Sequence, residues 1–131
     1  MKQTFGKDER LSNHRVIGRL FQRGSTEIQT FYLFPFRVLY FVDPAPPSEL
    51  PQVLFSISRR TFKRAVDRNL VRRRCREAYR LNKHILHELP AASRPTYLAF
   101  LYLAKEKATY DVIEKSMKKV LARLASTSSA S

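Results

Sequence analysis

RRTFKRAVDRNLVRRRCREAYRLNK, residues Arg59 to Lys83, places eleven of the chain's 25 Lys and Arg residues in 25 positions, with only two acids, Asp67 and Glu77. The segment carries +9 of a formal net charge of +14, and the other 106 of the 131 residues share +5. Cationic charge is therefore a localised device, and a field of that sign seeks polyanions. Arg64, Arg68, Arg72, Arg76 and Arg80 recur every four residues, the spacing of neighbouring turns on a helix. Such a ladder repels itself, so a partner that neutralises it is expected.

Placed on a helix from about Phe62 to Leu86, the segment gathers Val66, Leu70, Val71, Cys75, Ala78, Leu81 and Ile85 in one arc. Asn69, Arg72, Arg73, Arg76, Arg80 and Lys83 fall opposite, which predicts one core face and one cationic face. Pro90 ends the helix, since proline cannot continue it. On the N-terminal side, Ser12 to Arg23 reads as a short amphipathic helix with Ser12 as N-cap, Val16, Ile17, Leu20 and Phe21 at helical spacing, and Gly24 as stop. Thr26 to Val42 is β-branched and aromatic, and reads as two strands broken near Pro35. PAPPSELP, residues 44 to 51, is a loop by its prolines, and Val53 to Ser58 is a short strand. Beyond the basic helix, Tyr97 to Leu103 reads as a buried strand. Thr109 to Leu124 reads as a second amphipathic helix, with Val112, Ile113, Met117, Val120, Leu121 and Leu124 on one side. The Ser-rich tail, 126 to 131, has nothing to bury and is expected to be disordered. The chain is expected to fold as one domain over 1 to 125, a sheet with helices packed on it.

Nine Phe and six Tyr within a 44% hydrophobic composition supply core material for one domain. The single cysteine, Cys75, excludes an internal disulfide and fits a reducing, cytoplasmic setting. No apolar run approaches the length of about twenty residues that a membrane span needs, and the N-terminus lacks a signal-like apolar stretch.

Catalytic chemistry is poorly supplied. A protein nuclease requires clustered carboxylates or a histidine-based acid/base pair, whereas the acids here are scattered and the histidines are His14, His84 and His87. His84 and His87, beside Glu88, read as solvated residues near a helix end. Gly6, Gly18 and Gly24 are isolated and form no phosphate loop. Cys75, on the apolar arc, reads as a core cysteine. Of the aromatic run from Phe31 to Phe41, one or two rings at most are free to stack on bases. Nearly pure arginine on one helix face favours phosphate contact through bidentate guanidinium geometry. These features describe a binder of nucleic acid or another anionic surface, poorly supplied with catalytic groups of its own.

The string Arg59-Arg60, Lys63, Ala65-Val66, Arg68-Asn69, Arg72-Arg73, Arg76-Glu77-Ala78-Tyr79-Arg80 closely resembles the signature of the protein subunit of bacterial ribonuclease P. Arg10-Leu11 with Ile17, Leu20-Phe21 and Gly24 resembles the family's opening helix, and Val38-Leu39-Tyr40 its cleft strand, so the likeness spans about residues 5 to 124. The resemblance implies an α/β (α+β) two-layer sandwich of order α-β-β-β-α-β-α, with a mixed sheet and the Arg-rich helix in a left-handed crossover between parallel strands, against the usual hand. It implies endonucleolytic removal of the 5′ leader from precursor tRNA, with Mg²⁺-dependent chemistry in the RNA subunit, and it points to no protein partner. Arg59, Arg60, Lys63, Arg68, Asn69, Arg72, Arg73, Arg76 and Arg80 would contact that RNA, together with Arg64 and Arg74. Ile17, Phe21 and Tyr40 would line a leader cleft between the first helix and the sheet, Ile17 standing where the family more often has an aromatic. A further departure is that the family's Arg-Asn-Arg reads Arg68-Asn69-Leu70, while Arg74 occupies a usually apolar position about 6 Å along the axis. The expectation is that the arginine has moved one turn and the leucine has entered the core. The alternative is a ribosomal or RNA-chaperone protein that binds structured RNA without a catalytic partner.

Overall fold

The computed structural model describes residues 9–12, 14–21, 28–42, 51–88 and 95–129. In chain order the elements are α1 (His14–Leu20), β1 (Gln29–Leu33), β2 (Phe36–Phe41), β3 (Gln52–Ile57), α2 (Ala65–Asn82), the single turn α3 (His84–His87), β4 (Tyr97–Tyr102) and α4 (Tyr110–Ser129). The sheet order is β1-β2-β4-β3. The β1–β2 and β2–β4 pairs are antiparallel, and β3 runs parallel to β4. The basic helix is thus the crossover between two parallel neighbours, and the sheet is mixed, as expected. The expected loop at 44–51 and the stop at Pro90 fall almost wholly outside the described residues.

Alternation along the strands sorts the side chains into two layers. Phe36, Val38 and Tyr40, Val53, Phe55 and Ile57, and Leu98, Phe100 and Tyr102 form one face, covered by Val71, Cys75, Ala78 and Tyr79 of α2 and by Ile113, Met117, Val120, Leu121 and Leu124 of α4. The rings interlock: Phe100 stacks on Phe55 at 5.2 Å and meets Phe36 edge-on at 5.3 Å. Each such buried ring contributes about 1.5–3 kcal/mol. Leu39 and Ala99 point the other way, where Leu11 and Leu20 are buried against them. β4 is apolar because it lies inside the sheet, with α2 and α4 over one face and Leu11 and Leu20 packed on Ala99 at the other.

Two expectations are corrected here. Val66, expected in the core arc of α2, is 58% exposed, while Tyr79 and Asn82 are buried. The buried stripe is rotated by about a quarter turn toward Tyr79, whose ring packs against Phe55 and Phe100 of the sheet. The N-terminal arm, residues 9–11, lies along β3, with Leu11 N donating to Val53 O at 2.9 Å. Glu9 is buried against Lys83 just past the end of α2. The second correction concerns the tail: Ser126 to Ser129, expected to be disordered, continue α4. Nothing between Tyr110 and Ser129 is Gly or Pro, and extending an existing helix costs far less than starting one. Residues 130 and 131 lie outside the described residues.

Candidate RNA-binding surface

The sequence of α2 contains no Gly or Pro and is rich in good helix formers, but its arginine ladder works against it. Asp67 in the first turn and Arg80 in the last favour the helix dipole. The main stabilisation is the stripe Val71, Cys75, Ala78, Tyr79 and Asn82 held on the sheet. Burial pushes the Cys75 thiol up to about 12 against the opposing pull of Arg72, so this cysteine is core material and not a nucleophile.

The eleven cationic and amide positions expected on the RNA side divide into two groups. Some guanidinium groups are engaged by the protein. Arg68 donates from one nitrogen to the Phe62 and Lys63 carbonyls at 2.8 and 2.9 Å, closing the turn that precedes α2. Arg74 donates to Ala108 O at 2.7 Å, reaching the segment between β4 and α4. Arg80 pairs with Glu77 and holds that carboxyl below the usual carboxylate range. Arg72 donates to Asn69 Oδ1 at 3.1 Å, an exposed contact that orients both toward solvent. The side chains of Arg59, Arg60, Lys63, Arg64, Arg73 and Arg76 are exposed and make no ion pair with an acid among the described residues. Burial first, then the charges of Arg10 and Arg72, lowers the proton affinity of Arg76, so arginines from two chain segments share one field. An arginine keeps its charge regardless, and an anion there relieves the repulsion.

The proposed exchange of Leu70 and Arg74 does not take the expected form. Leu70 is half-buried and belongs to neither core cluster. Arg74 lies on the flank of α2 that meets α4, where its charge is spent on a carbonyl.

The expected cleft trio is also divided. Ile17 packs on the α1 side of the sheet, and Phe21, just past α1, is exposed. Tyr40 faces the opposite layer, where its ring meets Phe31 at 6.1 Å. Burial there raises its pKa, partly opposed by Arg123. The three residues therefore do not line one cleft, because position 40 shares parity with Val38, which packs on the α2 and α4 side. The rings that do face α1 are Phe41 and Tyr97, stacked at 6.3 Å, with the Arg19 guanidinium 5.3 Å from the Phe41 ring. Strict alternation from Val38 was the signal that would have found Phe41.

Among the described residues, the seven of α1 cover only part of this face of the sheet. Beyond α1, Tyr32, Arg37, Leu101 and Ser56 stand in register across all four strands. Tyr32 is 67% exposed, Arg37 is exposed, and Leu101 and Ser56 are half-buried. This row pairs a free aromatic with a cation on a flat floor, an arrangement suited to an extended single strand.

Among the described residues no three His, Cys, Asp or Glu side chains come together as a metal site, and no helix is long and apolar enough to cross a membrane.

Comparison with known proteins identifies the family. The sequence model for Ribonuclease P matches residues 5–125. The ribonuclease P protein component of Porphyromonas gingivalis is 36% identical over 126 residues, covering 93% of this chain and 88% of that protein. The ribonuclease P protein component of Chlorobaculum tepidum is 37% identical over 98 residues, covering 71% and 63% of the two chains. The RNase P protein of Staphylococcus aureus shares the fold at a TM-score of 0.62 and 19% identity, over 86% of this chain and 92% of that one. A family match over nearly the whole chain, with relatives above a third identical, places the signature helix in its context: the chain belongs to the family of bacterial ribonuclease P protein subunits.

Proposed function

We propose that this protein component of ribonuclease P binds the RNA subunit through the turn 59–64 and the outward face of α2, and holds the 5′ leader of precursor tRNA on the uncovered sheet face beside α1. The observation that carries the reading is the set of six exposed cations, Arg59, Arg60, Lys63, Arg64, Arg73 and Arg76, without an acidic partner among the described residues. Phosphate contacts of this kind position an RNA without reading its sequence. The leader face adds stacking by Tyr32 and charge from Arg37, which tolerates any base. Cleavage of the leader is assigned to the RNA subunit in the cytoplasm. The Mg²⁺ that supports cleavage is assigned to the RNA phosphates, where a hard cation finds oxygen ligands.

Reconstitution tests this directly. The chain added to ribonuclease P RNA at low Mg²⁺ is expected to raise the rate of precursor-tRNA cleavage, and the chain alone is expected to cleave nothing. RNA binding without stimulation would instead favour an RNA chaperone, and cleavage by the RNA-free chain would make the protein itself the nuclease.

A further inference from the structure

Three segments leave the sheet at one end. Phe36 of β2 and Ile57 of β3 both pair with Tyr102 of β4, so the turn at 34–35, the segment 103–109 and the basic turn 58–64 emerge side by side. Between the first two lies an open cavity of about 550 Å³, lined by Phe34, Leu103, Ala104, Lys105, Glu106 and Val112. Phe34 is 70% exposed, and Leu103 and Val112 are exposed beside it. The walls are fixed by the fold. Ser116 Oγ donates to Phe34 O at 2.7 Å, Leu103 N to Pro35 O at 2.9 Å, Ala108 N to the Tyr102 hydroxyl at 2.9 Å, and Arg74 to Ala108 O at 2.7 Å. A preformed cavity of this size suits a small flat ligand group, and apolar side chains left gathered at a surface mark a contact site.

Charge selects the occupant. Arg59, Arg60, Lys63 and Arg64 crowd the neighbouring turn, and Asp67 in the first turn of α2 is taken up by Lys107 at 3.1 Å. With strands about 4.8 Å apart, the basic turn at the end of β3 lies only about 10–14 Å from the turn joining β1 and β2. A strand whose phosphates lie on the basic turn therefore brings an adjoining base to the cavity. There Phe34 offers a ring face, Lys105 a donor and Glu106 an acceptor, the set that recognises the face and edge of a base. We propose that this cavity takes one unstacked nucleobase of the ribonuclease P RNA subunit, stacked on Phe34. The inference rests on the RNA-binding reading above and adds to it a site outside the signature helix.

The test is binding of the full chain to the RNA subunit. Phe34→Ala is expected to weaken affinity about 5- to 150-fold, the range for losing one base–aromatic stack, with the salt slope and melting temperature unchanged. Phe34→Tyr is expected to restore the affinity, and p-benzoylphenylalanine at position 34 to crosslink to a single RNA position. Wild-type affinity in Phe34→Ala overturns the base pocket and leaves the RNA reading standing, the patch then falling to a protein partner or to none. Failure of the wild-type chain to bind the RNA at all overturns the reading beneath it.

Discussion

The Lys83 ammonium contacts both carboxylate oxygens of Glu9, at 2.7 and 2.9 Å, across 74 residues of chain and with both side chains almost fully buried. This pair fastens the N-terminal arm to the end of α2. Removing one partner strands the other charge in the interior, so Glu9→Gln or Lys83→Met is expected to cost about 3–5 kcal/mol in urea unfolding. The double variant Glu9→Leu with Lys83→Met is expected to recover most of that loss. A single variant within about 0.5 kcal/mol of wild type would show that water reaches the pair.

Arg73 and Arg74 are neighbours in sequence with different tasks. Arg73→Ala is expected to weaken RNA affinity and leave stability unchanged. Arg74→Ala is expected to lose a charge-assisted hydrogen bond of about 1.5–3 kcal/mol, seen in thermal melting, with a smaller effect on RNA. The reverse pattern would restore Arg74 to the RNA surface.

Why this division was hidden in the sequence is instructive. Periodicity located α2 and most of its cationic side, because apolar spacing reflects burial directly. It did not tell a phosphate-binding arginine from one that caps a turn, as Arg68 does, or bridges to Ala108, as Arg74 does, since both look alike until the neighbouring carbonyls are in place. Tyr40 was misplaced for a related reason: an aromatic in a strand fits either layer, and the choice depends on which side the helices occupy. Hydrophobicity alone assigns Val66 to the core, whereas the packing of Tyr79 on Phe55 and Phe100 turns the helix away from it.

Alkaline pH tests the buried acids. Burial raises the Cys75 thiol from an ordinary 9.0 to about 12 and lifts the Tyr79 hydroxyl above its ordinary 10.0. The folded chain therefore keeps protons that the unfolded chain releases, so stability is full below pH 9 and falls as pH rises toward 12. Cys75→Ala is expected to flatten the part of the decline that begins near pH 9, and Tyr79→Phe the part that begins near pH 10. Chemical unfolding at stepped pH measures both, and stability unchanged to pH 11 would contradict the burial.

Salt dependence measures how many phosphates the surface engages. Six unpaired cations predict a slope of log affinity against log salt of about −4 to −5, a loss of a few hundred- to a thousandfold between 50 and 200 mM. Arg59→Ala, Arg73→Ala and Arg76→Ala are each expected to shallow that slope by about one unit. A nearly flat response would remove the electrostatic mechanism.

The leader face makes a prediction that separates the two sides of the sheet. Tyr32 and Arg37 are cross-strand partners on the uncovered row, whereas Tyr40 is buried in the opposite layer. Tyr32→Ala is expected to weaken binding of leader-bearing precursor tRNA by the assembled holoenzyme about 5- to 150-fold, the range for one lost stack. Its affinity for leaderless tRNA is expected to be unchanged. Arg37→Ala is expected to lower leader affinity in a salt-dependent way, because it removes a phosphate contact and leaves the ring. Tyr40→Phe is expected to leave leader affinity unaltered, since its hydroxyl faces the layer of α4. If Tyr40→Phe weakened the leader and Tyr32→Ala did not, the leader would lie on the other face, and the sheet's uncovered row would have no part in substrate binding.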